Sequence, residues 1–280
     1  MKKMRIIAYG IAVSSLLATG IISSESAKTI AASTETGNLT LVANGEDFVR
    51  QGFVSKDGWQ IDFEHLYVNV GSAIAYSSES AFEPQKNATK EDINYQNRIE
   101  LVSEPQIADL AAGTADAPPI TVAASEVPID FYNALAWSVD TAGADSPIAG
   151  QTIVMIGRAA KDGQTIDFNL GLNHPTAYVC GEFVGDERQG IVTAESAGTT
   201  EMTFHFDHIF GDADTPPEDA LNLHALGFEP LAELASNNTV QLDDQELEAQ
   251  LSAPDYQQLT ETIADLGHVG EGHCVVTNSQ

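Results

Sequence analysis

Apolar and polar residues alternate with a period of two over much of the first two thirds of this chain, which predicts half-buried β-strands. Residues 39–42, 48–54, 60–70, 97–102, 120–123 and 129–139 carry the pattern in the first half. In the third of these, Ile61, Phe63, His65, Tyr67 and Asn69 share one face. Residues 178–180, 191–193 and 200–210 carry it in the second half. Residues 77–92 read as a polar loop, and 107–112 as a single helical turn. Residues 141–147, rich in Gly, Ala, Asp and Pro, suit a module boundary.

The pattern changes after Asp212. Pro216 and Pro217 suit the approach to a first helical turn, and residues 221–226 and 231–234 carry short apolar groups. Asp243 or Asp244 can cap a helix through residues 247–251. Ser252 can cap the next, with Leu259, Ile263 and Leu266 on its apolar face and Gly267 as its stop.

Residues 45–63 and 150–168 resemble one another without a gap. Gly45, Val49, Gly52, Lys56, Asp57, Gly58, Ile61, Asp62 and Phe63 meet Gly150, Val154, Gly157, Lys161, Asp162, Gly163, Ile166, Asp167 and Phe168. Average residue usage gives about one match in such a window. Asp-Gly is a hairpin-turn signal, but it does not account for the flanking matches. The reading is a duplicated hairpin unit. The expected fold is therefore mainly β: duplicated antiparallel, sandwich-like modules with a short helical C-terminal region. The organisation that follows is a signal and lead over 1–33, a first β module over 34–142, a second over 143–212, and a helical region over 213–280 packed on the second module.

Composition adds a compartment and excludes some partners. Lys2, Lys3 and Arg5 precede an apolar run over residues 6–22, and small residues follow at Ser24 and Ser26, or Ala31 and Ser33. This is the layout of a cleavable export signal, so the expected location is periplasmic or extracellular, with no membrane span after cleavage. Against 41 acidic residues there are only 12 Lys and Arg, a formal charge of -29. Such a surface repels nucleic acid and anionic membranes and concentrates cations. The two cysteines, Cys180 and Cys274, suit a disulfide in an exported protein, or alternatively thiolate ligands.

The densest chemistry lies in residues 203–212, Thr-Phe-His-Phe-Asp-His-Ile-Phe-Gly-Asp. As a strand, this stretch sets His205 and Asp207 on one face and Phe204, Phe206 and His208 on the other. As a helix, it brings His205 to His208 at i, i+3. Its aromatic and β-branched content favours the strand. Imidazole and carboxylate together accept zinc or copper. The expected metal residues are His205, Asp207 and His208, with His224, His65, His268 and His273 as completing ligands. The tail Gly-His-Val-Gly-Glu-Gly-His-Cys over 267–274 places His268 and His273 beside Cys274. Residues 211–219 are acidic and can take calcium, but they lack the EF-hand spacing.

Three functional classes follow. The first is an exported zinc- or copper-binding protein for capture, delivery or buffering. The second is a non-catalytic sandwich for adhesion, envelope structure or binding of an extracellular partner. An enzyme is the least favoured, since the chain holds no zincin, nucleophile-elbow, phosphate-loop or haem motif. A metal-dependent hydrolase on the same ligands would need a base such as Asp212 or Glu218.

Overall fold

The computed structural model describes residues 35–85 and 88–277. The expected export signal lies outside them. Strand β1 is Thr36–Asn44, helix α1 Glu46–Gln51, β2 Phe53–Val54 and β3 Gln60–Ser77. A 3-10 turn at Lys90–Asp92 precedes β4 Asn97–Val102, β5 Gln106–Asp109, β6 Ile120–Pro128 and β7 Tyr132–Val139. Then come β8 Ile153–Lys161, β9 Gln164–Leu172, β10 Thr176–Cys180 and β11 Gly198–Phe204. The last part holds α2 Asp207–Phe210, α3 Ala220–His224, α4 Glu229–Ala232, β12 Thr239–Leu242, α5 Asp244–Gln250 and α6 Ala253–Ala264. The hairpin β13 Gly267–Val269 and β14 Gly272–Thr277 closes the described chain.

The mainly-β expectation stands, and the strands join one curled, mixed sheet in the order β12-β9-β8-β3-β7-β10-β14-β13-β11-β1-β6. Strands β2, β4 and β5 pair with β3 outside this path. Most pairs are antiparallel, but β1 with β11 and β9 with β12 are parallel. The two resembling segments are neighbours in this sheet, because β3 pairs with β8 from Gln60↔Ala160 to Val68↔Ile153. Their first halves differ: residues 46–51 are helical, whereas the equivalent stretch runs into β8.

Three local expectations are corrected. Residues 48–51 belong to α1 rather than a strand, because Val49 is buried from one helical face. Residues 106–109 are strand β5, paired with β3, and not a helical turn. In β3 a bulge between Phe63 and His65 shifts the phase of alternation. Ile61 points into the core before it, and Leu66, Val68 and Val70 do so after it, which leaves His65 on the opposite side.

The core lies inside the curl. Trp137 of β7 stacks on Tyr178 of β10 at 4.2 Å and meets Phe204 of β11 edge-on at 5.0 Å. This contact joins the two halves of the sheet near the end of β11. Gly267 enters β13 against the same group; a Cβ there would lie 2.6 Å from the Trp137 ring. The close approach fixes where β13 begins, and His268 follows it directly. The cysteines form a disulfide across paired positions of β10 and β14.

The helical region forms as its caps dictate. Asp243 and Glu246 make a reciprocal capping box at α5. Ser252 accepts from the Asp255 amide at α6, which buries Leu259 and Ile263. The helix ends at Ala264, before Gly267, because the chain must turn into β13.

Candidate metal centre

Strand β11 stops at Phe204. The next amide, of His205, bonds to the Leu266 carbonyl at 3.1 Å, and the chain then winds into a turn. His208 N donates to His205 O, Ile209 N to Phe206 O, and Gly211 N to Asp207 O at 2.6 Å. Gly211 closes the turn with φ 69°, in the left-handed region where glycine is at no disadvantage. Phe206, Ile209 and Phe210 are all fully buried, at helical spacing. Burying them turns His205 and His208 to the other side. The strand reading of residues 205–210 is thus overturned. The helical alternative holds, and it brings the two histidines together.

One ligand atom each from His205, Asp207 and His208 lies within 4.8 Å of the others. The two rings stack at 5.2 Å. Antiparallel pairing of β11 with β13 sets Thr203 opposite His268. The His268 ring is accordingly 4.4 Å from that of His205 and 5.7 Å from that of His208. His273 faces His268 across the hairpin, its ring 5.3 Å away, and is exposed at the rim.

The cluster is dry enough to distort its own charge states. Burial, followed by repulsion from neighbouring imidazoles, pushes His268 down to about 4. Burial also lowers His208 and raises Asp207, against their mutual attraction. For His205 burial acts downward, but the hydrogen bond and charge of Glu46 outweigh it and the net shift is upward. The Glu46 carboxylate stands 3.1 Å from His205 Nδ1. Among the described residues, Asp207 Oδ1 is buried without a hydrogen-bond partner.

The other expected ligands are placed apart from this group or at its edge. His65 pairs with Asp109 at 2.7 Å and stacks on Tyr67. His224 is exposed at the end of α3. With His208 it lines a cleft of about 680 Å³ between α3 and α6, whose walls include Leu221, Leu223, Glu261 and Asp265. Cys180 and Cys274 are consumed by their disulfide, so neither offers a thiolate. In the acidic loop after Gly211, Asp212 takes the Asp214 amide and the Thr215 hydroxyl on its carboxylate. The buried Asn222 side chain holds the same loop through the carbonyls of Asp212, Thr215 and Pro216. Sequence reasoning missed Glu46. Asn44-Gly45 signals a turn there, but nothing local links it to His205.

No family model, no curated protein and no solved structure matches this chain.

The charge states predict acid sensitivity of the metal-free fold. As pH falls, His268 in the unfolded chain takes a proton near its ordinary 6.5, whereas the folded chain resists until about 4. The unfolded state binds more protons in that window, so stability falls with pH across it, by on the order of 3 kcal/mol. His205 acts in the opposite sense: its raised value stabilises the fold below the ordinary pKa, and this is lost as pH rises through the folded one. Urea midpoints of metal-free protein at about pH 7 and pH 4.5, with and without His268→Gln, check this. An equal loss in both proteins would show that His268 is not the sensitive group.

Proposed function

We propose that this chain binds a transition-metal ion at His205, Asp207 and His208, with His268 beside them as the next ligand. The observation that carries this reading is the convergence of three donors from one helical turn to within 4.8 Å. Two supports accompany it. The buried Asp207 oxygen lacks a protein partner, a costly state that a cation relieves. Imidazole nitrogen with carboxylate oxygen is a donor set suited to zinc or copper. The role that fits is capture, delivery or buffering of the ion outside the cytoplasm. The disulfide is compatible with export. No described helix is long and apolar enough to cross a membrane. The charge of -29 raises the local concentration of cations.

Elemental analysis of protein purified without affinity tag or chelator tests the reading. About one equivalent of zinc or copper is expected. It should be lost in a His205→Ala/His208→Ala variant and kept in Cys180→Ala/Cys274→Ala. A wild-type protein that carries no metal, and takes up none at micromolar exposure, would sink the proposal.

A further inference from the structure

We propose that Glu46 is the positioning residue of this site: it fixes the tautomer and orientation of His205 so that Nε2 is presented to the metal. The inference rests on the metal-binding reading and goes a step further, to how the site is built. Topology supplies the juxtaposition. Strands β1 and β11 run parallel, with Asn44 opposite Thr203. Two residues beyond this pair, past the ends of both strands, stand Glu46, the first residue of α1, and His205, and the carboxylate meets Nδ1 at 3.1 Å. A carboxylate on Nδ1 holds the proton there and leaves the Nε2 lone pair for a metal. Nε2 lies 3.4 Å from the Gly270 carbonyl, which can only accept a proton from it, so a metal at Nε2 would replace this long contact.

The backbone is distorted to achieve this. Glu46 has φ 62°, in the left-handed region that a side chain disfavours. Strain of that kind persists where the surroundings over-determine it, and it concentrates at functional positions. Here the surroundings are visible. The Glu46 amide donates to Asn44 Oδ1 at 2.9 Å. Asn44 Nδ2 donates to Glu201 Oε1 at 2.9 Å, and the Thr203 hydroxyl donates to the same oxygen at 3.0 Å. Gln189 Nε2 donates to Glu201 Oε2 at 3.2 Å. Thr203 Oγ1 in turn accepts the Gly270 amide at 2.7 Å. The buried carboxylate of Glu201 thus ties the end of β1, the end of β11 and the turn between β13 and β14. Those are the segments that carry Glu46, His205 and His268.

Glycine at position 46 separates the two roles a residue can have here. It removes the carboxylate and relieves the left-handed backbone, so fold and metal site respond in opposite directions. Zinc affinity of wild type, Glu46→Gly and Glu46→Gln, measured by competition with a chromophoric chelator, is expected to fall about 10- to 100-fold in the glycine variant. The fall should be smaller in the glutamine variant, whose amide oxygen still accepts from Nδ1. The thermal midpoint of metal-free Glu46→Gly should be unchanged or higher. In the cobalt-substituted protein the visible d–d bands should shift in both variants. Unchanged zinc affinity and an unchanged cobalt spectrum in Glu46→Gly would overturn the proposal. A third measurement needs no metal: long-range ¹H–¹⁵N spectra, recorded above the ring's own observed titration, report the His205 tautomer. The proton should sit on Nδ1 in wild type and move towards Nε2 in Glu46→Gly. If wild type takes up no zinc, the metal-binding reading falls by itself, and the tautomer then decides alone whether Glu46 orients the ring.

Discussion

Replacing Phe210 by alanine is expected to lower the unfolding free energy by about 3–5 kcal/mol and to weaken the proposed metal binding about tenfold or more. The ring is fully buried. It packs against Phe53 at 6.0 Å and Phe63 at 6.2 Å, on the paired strands β2 and β3, and against Phe228 at 6.2 Å, at the start of α4. Phe53 and Phe63 are held by the β2–β3 pairing, which limits collapse into that space, so a cavity cost adds to the transfer cost. The effect on metal comes from the same packing. Helix α2 is a single turn and cannot hold its shape by its own hydrogen bonds. Phe206, Ile209 and Phe210 hold it down, and Asp207 and His208 ride on it. A loosened turn lets both proposed ligands drift from the geometry a metal requires. Leu170→Ala is the control, since Leu170 is equally buried but lies in β9. It should destabilise by a comparable amount while metal affinity stays at the wild-type value. Equal losses of affinity in the two variants would mean that global stability sets binding.

The residues of α2 also show what the sequence could and could not tell. The run from Phe204 to Phe210 satisfies two periods at once. Phe204, Phe206 and Phe210 fit a strand; Phe206, Ile209 and Phe210 fit a helix. Propensity favours the strand, and a local reading has no means to overrule it. The decision is tertiary: the His205 amide bonds to Leu266, sixty-one residues away, and the aromatic core receives the helical face. Where the signal is local and unambiguous, sequence and structure agree. The alternation of residues 97–102 coincides with β4, and Asp243 and Ser252 cap the helices expected of them. The disulfide is the first of the two readings that the cysteine pair and the expected export allowed. The grouping of His268, His273 and Cys274 in the tail was visible in the sequence, but not the hairpin they form. Gly267, His268 and Val269 become strand β13 because β11 offers an edge to pair with. Glu46 is the extreme case, since its partner is placed by a parallel strand pairing between distant segments. His65 is placed apart from the cluster for a related reason, as the bulge in β3 that turns it outward leaves no mark in the residue pattern.

Removing the disulfide with a Cys180→Ala/Cys274→Ala pair is expected to lower stability by about 2–5 kcal/mol. The bond spans 94 residues, a long loop whose closure restricts the unfolded chain. For a domain of this size the loss corresponds to a fall in thermal midpoint on the order of 10 °C. Its structural position explains why the folded state should survive. Strand β14 pairs with β10 from Ala177↔Thr277 to Cys180↔Cys274, and with β13 through His268↔His273. The backbone ladder on both sides keeps the hairpin in register without the bond. Metal stoichiometry of the folded variant should therefore equal that of wild type, because His205, Asp207 and His208 lie on a different element. The two readouts separate two ideas. A midpoint that does not move would show that the bond adds no stability. A variant that stays folded but loses its metal would place the hairpin, and with it His268 and His273, at the centre of the site instead of the turn that carries Asp207 and His208.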